Sequence, residues 1–170
     1  MAPRNATKHE TQHKGLITML SKEEAQEMRH AFWHKLESKS RRLPGQNGKP
    51  VRWIGDHTGI KGLDLRFDLT SGRVMVAIEI NTHSETKDAT LWQHLTQCKA
   101  LVERHFETEL IWDKNFVREA GNVVARVYTS TTGNIYDKEQ WPDMIHFMID
   151  NMMRMEAAYR EIQDFMIHFK

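Results

Sequence analysis

The stretch that decides the fold is GLDLRFDLTSGRVMVAIEIN, residues 62–81. Apolar and charged residues alternate over residues 63–69, which is the pattern of a strand with one buried face. Residues 74–80 carry a second apolar row at every other position. A turn centred on Ser71-Gly72 places both rows on one face of a hairpin, whereas a shift of one residue would divide them between the two faces. We therefore predict an antiparallel hairpin here.

The register of this hairpin brings two acidic residues together. If Leu69 pairs with Val74, Asp64 lies directly opposite Glu79 on the polar face. Directly opposed residues have Cβ atoms about 5 Å apart, so two carboxylates could share a divalent ion. Asp64 and Glu79 are therefore the catalytic and metal-binding candidates. The competing interpretation is a structural polar face, with Arg66 easing the contact between like charges.

The composition favours one cytoplasmic domain. The chain has 170 residues, with 24 basic and 23 acidic side chains and a formal charge of +1, so no global field favours nucleic acid or a membrane as partner. The single cysteine, Cys98, excludes an internal disulfide framework. The sequence has no long apolar run or signal-peptide core, so we expect a cytoplasmic location. Residues 1–20 are polar and aperiodic, which predicts a flexible tail before a single domain over residues 21–170.

The remaining periodic segments predict an α+β fold. Ser21 and Glu24 form a capping-box pattern for a first helix that reaches about Lys39. An apolar stripe over residues 91–106 predicts a second helix. Further short strand patterns lie at residues 51–54, 110–116 and 123–129. We predict a mainly antiparallel sheet of about five strands with three helices, mostly packed on one face, in the order α-β-β-β-α-β-β-α.

The last helix has the strongest periodicity in the chain. Apolar residues follow one another in steps of three and four from Ile145 to Phe169, which suits both packing on a sheet and a coiled-coil seam. A helix from Pro142 to Phe169 is roughly 40 Å long at about 1.5 Å per residue, longer than strands of about 20 Å can cover. We therefore expect its distal turns to lie against the N-terminal segment or a second subunit. The candidate interface residues are Met148, Met152, Met155, Tyr159, Ile162 and Met166.

The acidic pair also permits an enzymatic alternative. A helix, three strands and a helix, with acids on the second and third strands, resembles the core of restriction-endonuclease-like nucleases. That resemblance implies a divalent cofactor, Mg²⁺ or Mn²⁺, held by Asp64 and Glu79. A lysine usually stands two residues after the second acid in that group, whereas this chain has Asn81. No other catalytic motif, such as His-Glu-x-x-His or a phosphate-binding glycine loop, occurs, and outside the nuclease alternative we expect no cofactor.

Three groups of residues resemble a bacterial family known as domain of unknown function 4268. The shared residues are Phe32-Trp33, then Trp53 with Thr58-Gly59-Ile60-Lys61 and Arg66, and finally Arg126-Val127-Tyr128 followed by the run from Asn134 to Asp143. They cover most of the chain from about Ser21 onward, in the order that the family has. The resemblance implies a small domain that is sometimes joined to others, including nuclease-like ones, and it brings no activity with it.

The resemblance also directs attention to Thr58, Gly59, Lys61 and Arg66. A Thr58-Gly59 turn could expose N–H groups, and the two cations could hold an anion beside it. In the alternative interpretation Gly59 only makes the turn and Arg66 is a structural ion-pair partner. An anion-binding or nucleic-acid-binding module is accordingly one hypothesis for the function.

The missing catalytic set and the long apolar stripe together favour a different function, which is our first hypothesis. We expect a non-enzymatic interaction or accessory module that self-associates as a homodimer, or binds a protein partner, through its last helix.

Overall fold

The computed structural model describes residues 20–45, 49, 53 and 58–168. The described residues form an α+β fold around one antiparallel sheet, with the strand order β1-β2-β4-β3. The four strands are β1 (Leu63–Thr70), β2 (Gly72–Ile80), β3 (Ile111–Val117) and β4 (Val123–Gly133). Strands β2 and β4 therefore lie in the middle of the sheet, and β1 and β3 lie at its edges.

The predicted hairpin register is confirmed. Leu69 pairs with Val74, and Asp64 pairs with Glu79. Gly72 adopts a positive φ of 101° in the connecting turn, a conformation that residues with a Cβ atom seldom adopt. The hairpin forms as predicted because this register puts the two apolar rows on a single face, whereas a shift of one residue would separate them.

The helices are α1 (Lys22–Ser40), α2 (Glu85–Gln97), α3 (Lys99–Glu103) and α4 (Trp141–His168), with a 3₁₀ turn at Lys138–Gln140. The capping box of α1 is confirmed, because Glu24 and Ser21 exchange hydrogen bonds at 2.7 and 3.1 Å. The predicted second helix is divided at Cys98, where φ and ψ are −91° and 9°. None of the described helices combines the length and the apolar character needed to cross a membrane.

Two details of the predicted fold need correction. The described residues contain four strands instead of about five and four helices instead of three, in the order α-β-β-α-α-β-β-α. Of the strand predicted at residues 51–54, only Trp53 lies within the described residues, and it belongs to no strand. The predicted tail lies outside the described residues except for Leu20.

Helix α4 is the centre of the helical layer. It contacts β1, β2 and β4 on one side and α1 and α3 along its flanks. The apolar row of the hairpin faces this layer, and Val76, Ile78 and Met148 are completely buried. Packing the long helix over the apolar row of the hairpin forms the main core, and none of the described helices packs on the other face of the sheet.

Gly62 and Gly59 provide a matched test of the turn that enters β1. Both have positive φ angles, 82° and 83°. A Cβ on Gly62 would lie 2.7 Å from the Cα of Thr82, whereas a Cβ on Gly59 would meet nothing within 4 Å. We expect Gly59→Ala to cost about 1–2 kcal/mol for the backbone conformation alone. Gly62→Ala should lower the free energy of unfolding further, as urea denaturation would measure, and equal losses would contradict this explanation.

Candidate functional site

The predicted acidic pair lies on the helix-free face of the sheet, but its two members differ in environment. Glu79 has a side-chain exposure of only 2%, whereas Asp64 is half-buried. Both oxygens of Glu79 interact with arginines from other parts of the chain. Arg118 donates through Nε at 3.2 Å and through Nη2, and Arg126 donates through Nε at 3.1 Å.

A third arginine completes this cluster around Glu79. Arg66 of β1 places Nη1 3.6 Å from Glu79 Oε1. Burial alone would raise the pKa of the Glu79 carboxyl, but the hydrogen bonds from Arg118 and Arg126 and the charges of Arg126 and Arg66 outweigh it. The pKa of Glu79 is therefore lowered from its ordinary value. A carboxylate of this kind is a weak proton acceptor, poorly suited to act as a general base.

Arg126 extends the cluster across the sheet. Its side chain is fully buried, and Nη1 lies 2.6 Å from Oδ2 of Asp68 on β1. Its guanidinium carbon also lies 4.0 Å from the ring centroid of Phe116, in a cation–π contact. Arg126 lies on β4 and thus contacts side chains of all three other strands, β1, β2 and β3. These contacts make it a structural centre of this face.

The cluster leaves little capacity for metal binding at the predicted pair. Within the described part of the chain, no group of three or more His, Cys, Asp or Glu side chains is arranged to hold a metal ion. A cation at Glu79 would have to displace Arg118 or Arg126 from the carboxylate oxygens. The geometry favours the structural interpretation of the polar face, in which the arginines neutralise Glu79.

The structure does not bring the four anion-binding candidates together as one site. The Thr58 hydroxyl donates to the carbonyl of Leu63 at 2.5 Å and accepts from the N–H of Ile60 at 3.2 Å. Tyr159 of α4 donates to the Thr58 carbonyl at 3.1 Å. These bonds fix the turn to β1 and α4 through the Thr58 hydroxyl and carbonyl and the Ile60 N–H. Arg66 joins the Glu79 cluster, while Lys61 is exposed to solvent.

The interface predicted on the last helix needs correction. Its six residues are buried in the core of a single chain, with exposures between 0% and 4%: Met148, Met152, Met155, Tyr159, Ile162 and Met166. The distal turns that the sheet cannot cover pack on α3 and on the turn before β1, where Tyr159 meets Thr58. The stripe is therefore not available as a seam between subunits.

The outer edge of β1 is a feature that sequence reasoning missed. The N–H of Asn81 donates to the carbonyl of Gly62, so the even-numbered residues of β1 direct their backbone groups towards β2. The odd-numbered residues direct theirs away from the sheet. Leu65, Phe67 and Leu69 accordingly present N–H and C=O groups that have no hydrogen-bond partner among the described residues.

The other edge strand, β3, is less regular. Its pairing with β4 shifts between Asp113 and Phe116, which marks a bulge, and Lys114 lies within the irregular segment. Bulges and lysines are common means of preventing an edge strand from pairing with another chain. Strand β1 has neither over its eight residues, so it is the edge better suited to pairing.

The residues with the strongest family resemblance form a cap before α4. Gln140 accepts a hydrogen bond from the N–H of Asn134 at 3.0 Å and donates to Asp137 at 2.9 Å. The indole N–H of Trp141 donates to a carbonyl within the same run at 2.7 Å. The polar groups of this motif therefore satisfy one another, and its role is to direct the chain from β4 into α4.

The sequence model of the family described as Domain of unknown function (DUF4268) matches residues 28–163. This range spans both hairpins, the helical layer and the cap before α4. The chain is a member of DUF4268. No curated protein and no solved structure matches it. Membership in DUF4268 fixes no activity.

Glu79→Gln tests the arginine cluster of this DUF4268 domain. The substitution keeps the shape of the side chain but leaves Arg126 buried with a reduced countercharge. Breaking a buried ion pair on one side typically costs about 3–5 kcal/mol, and we expect a loss of that order in urea denaturation. The control is Glu161→Gln, which removes the exposed partner of Arg104 and His105. A loss no larger than that of the control would contradict the structural role of Glu79.

The lowered pKa of Glu79 also predicts a dependence of stability on pH. Because the folded pKa lies below the ordinary value of 4.5, ionised Glu79 stabilises the fold above pH 4.5, and this contribution is lost as the pH falls through the folded pKa. Unfolding measured from pH 7 to pH 3 should therefore show a steeper loss of stability in the native protein than in Glu79→Gln. Parallel curves would show that Glu79 does not titrate differently on folding.

Proposed function

We propose that this domain is a non-enzymatic interaction module that binds an extended segment of another protein chain along β1. The observation that carries the proposal is the row of outward-facing backbone groups on Leu65, Phe67 and Leu69. An added strand would satisfy these groups in the way that many peptide-binding domains extend a sheet. The sheet would then gain a fifth strand from outside the chain.

The side chains on the helix side of β1 support a preformed edge. The Phe67 ring lies between two indoles, with ring centroids 6.4 Å from Trp33 and 6.0 Å from Trp53. Trp53 is held in turn by a hydrogen bond of 2.5 Å to Glu156 of α4. Because the aromatic contacts restrain β1 before any partner arrives, less conformational entropy is lost on binding.

The opposite side chains of β1 supply selectivity. Arg66 and Asp68 have side-chain exposures of 43% and 26%, and they alternate in charge along the helix-free face. An incoming strand with the complementary order of charges would be favoured over one with like charges at these positions. The arginine cluster supports this function by holding β1 in register with β2 and β4, which explains buried charges without invoking catalysis.

A synthetic peptide with the sequence of residues 63–70, LDLRFDLT, is a suitable probe of strand addition. We expect its binding to slow amide hydrogen exchange at Leu65, Phe67 and Leu69. Leu69→Pro removes one outward N–H without touching the ladder to β2, as proline is tolerated at that position of an edge strand. This variant should bind the peptide at least tenfold more weakly, while the matched control Leu69→Ala keeps the N–H and should bind nearly as well.

Binding that is equal in the proline and alanine variants would refute strand addition at β1. The same conclusion would follow if the peptide slowed exchange only in other parts of the domain. Circular dichroism and urea unfolding of both variants would establish that they remain folded, so that a loss of binding reports on the edge itself.

A further inference from the structure

We infer that the chain that occupies this edge is a second copy of the domain, paired antiparallel about a two-fold axis at Phe67. This inference rests on the proposed strand addition and names its partner. A two-fold antiparallel contact makes the same strand serve as both donor and acceptor. The hydrogen-bonding groups and charges of β1 must therefore complement those of an antiparallel copy of the same strand.

Hydrogen bonding favours a register centred on Phe67. The N–H of Leu63 donates to Ile60, and its carbonyl accepts from Thr58, so Leu63 is already satisfied within the chain. A dimer centred on Phe67 pairs Leu65 with Leu69 of the second copy and Phe67 with itself. Every outward N–H and C=O of these three residues then has a partner, two bonds for each of three pairs. Registers centred on Leu65 or Arg66 would instead require the occupied groups of Leu63.

Charge pairing selects the same register. With Phe67 on the axis, Arg66 lies opposite Asp68 of the second copy, and this pair occurs twice. With Arg66 on the axis, Arg66 would face Arg66, and Asp64 would face Asp68. Opposite charges across an antiparallel pair are stabilising, whereas like charges directly opposite are destabilising.

The existing ion pairs leave room for this contact. Asp68 binds Arg126 through Oδ2 at 2.6 Å, and Oδ1 accepts from no arginine of the described residues. Arg66 contacts Glu79 through Nη1, at a distance of 3.6 Å. The other nitrogen atoms of its guanidinium can therefore reach across the edge. The dimer would thus extend the arginine cluster of each copy into one continuous network over the joined sheets.

Cysteine cross-linking tests the partner and the register together. In the proposed dimer Asp64 lies opposite Thr70 of the second copy, at a position where Cα atoms are about 4.5 Å apart, within the range for a disulfide. Asp64→Cys and Thr70→Cys are made as two separate proteins. Mixed and mildly oxidised, they should give a cross-linked dimer. Either protein alone should not, because its two cysteines would be separated by about 20 Å, six residues along the strand.

Two features keep this test specific. The native Cys98 is buried with an exposure of 5%, and burial raises the pKa of its thiol, so it should not compete in the oxidation. Adding Leu69→Pro to both proteins removes an interchain N–H donor and should reduce the cross-linked product at least tenfold, while Leu69→Ala should not. Sedimentation of the native chain should show a dimer whose population rises with protein concentration.

The outcomes separate the partner from the proposed function. A chain that stays monomeric at all concentrations, yet binds the peptide of residues 63–70, overturns the second copy and leaves strand addition standing. A dimer that forms without the cross-link between positions 64 and 70 overturns the register. Failure of both the peptide and the dimer overturns strand addition at β1 as well.

Discussion

Arg126 and Glu79 meet on the helix-free face of the sheet, where both side chains are almost completely buried. Two unpaired charges could not remain there, because burying an isolated ion costs far more than the domain's stability can offset. Asp68, Arg118 and Arg66 complete the pairing from other strands and turns. The cluster therefore forms only when the strands have the order β1-β2-β4-β3, and it ties that order to a single register.

The two faces of the sheet consequently have different tasks. The inner face is apolar and is covered by α4 and the helices beside it. The outer face uses charge pairs and a small apolar group of Met75, Ala77 and Tyr128, so it needs no second layer of helices. Among the described residues, the unpaired backbone groups of this sheet lie along the outer edge of β1, which is where the proposed added strand would pair.

The apolar stripe of α4 shows how one pattern can accompany two arrangements. Steps of three and four suit a seam between subunits and also a helix buried inside its own domain. The length of α4 favoured a seam between subunits only on the assumption that the sheet was the sole surface available to cover the helix. The turn at Thr58 and helix α3 supply the additional surface, and the prediction failed because these contacts join residues far apart in the chain.

The sequence by itself determined the local geometry: the hairpin register, the capping box at Ser21, the long last helix and the family. These features depend on periodicity and on residues close together in the chain. Only the tertiary structure decided which strand edge lacks backbone partners among the described residues and which acid is neutralised. Glu79 is 39 residues from Arg118 and 47 residues from Arg126, and no local pattern connects them. The edge is likewise a property of strand order, which the whole chain has to fold to establish.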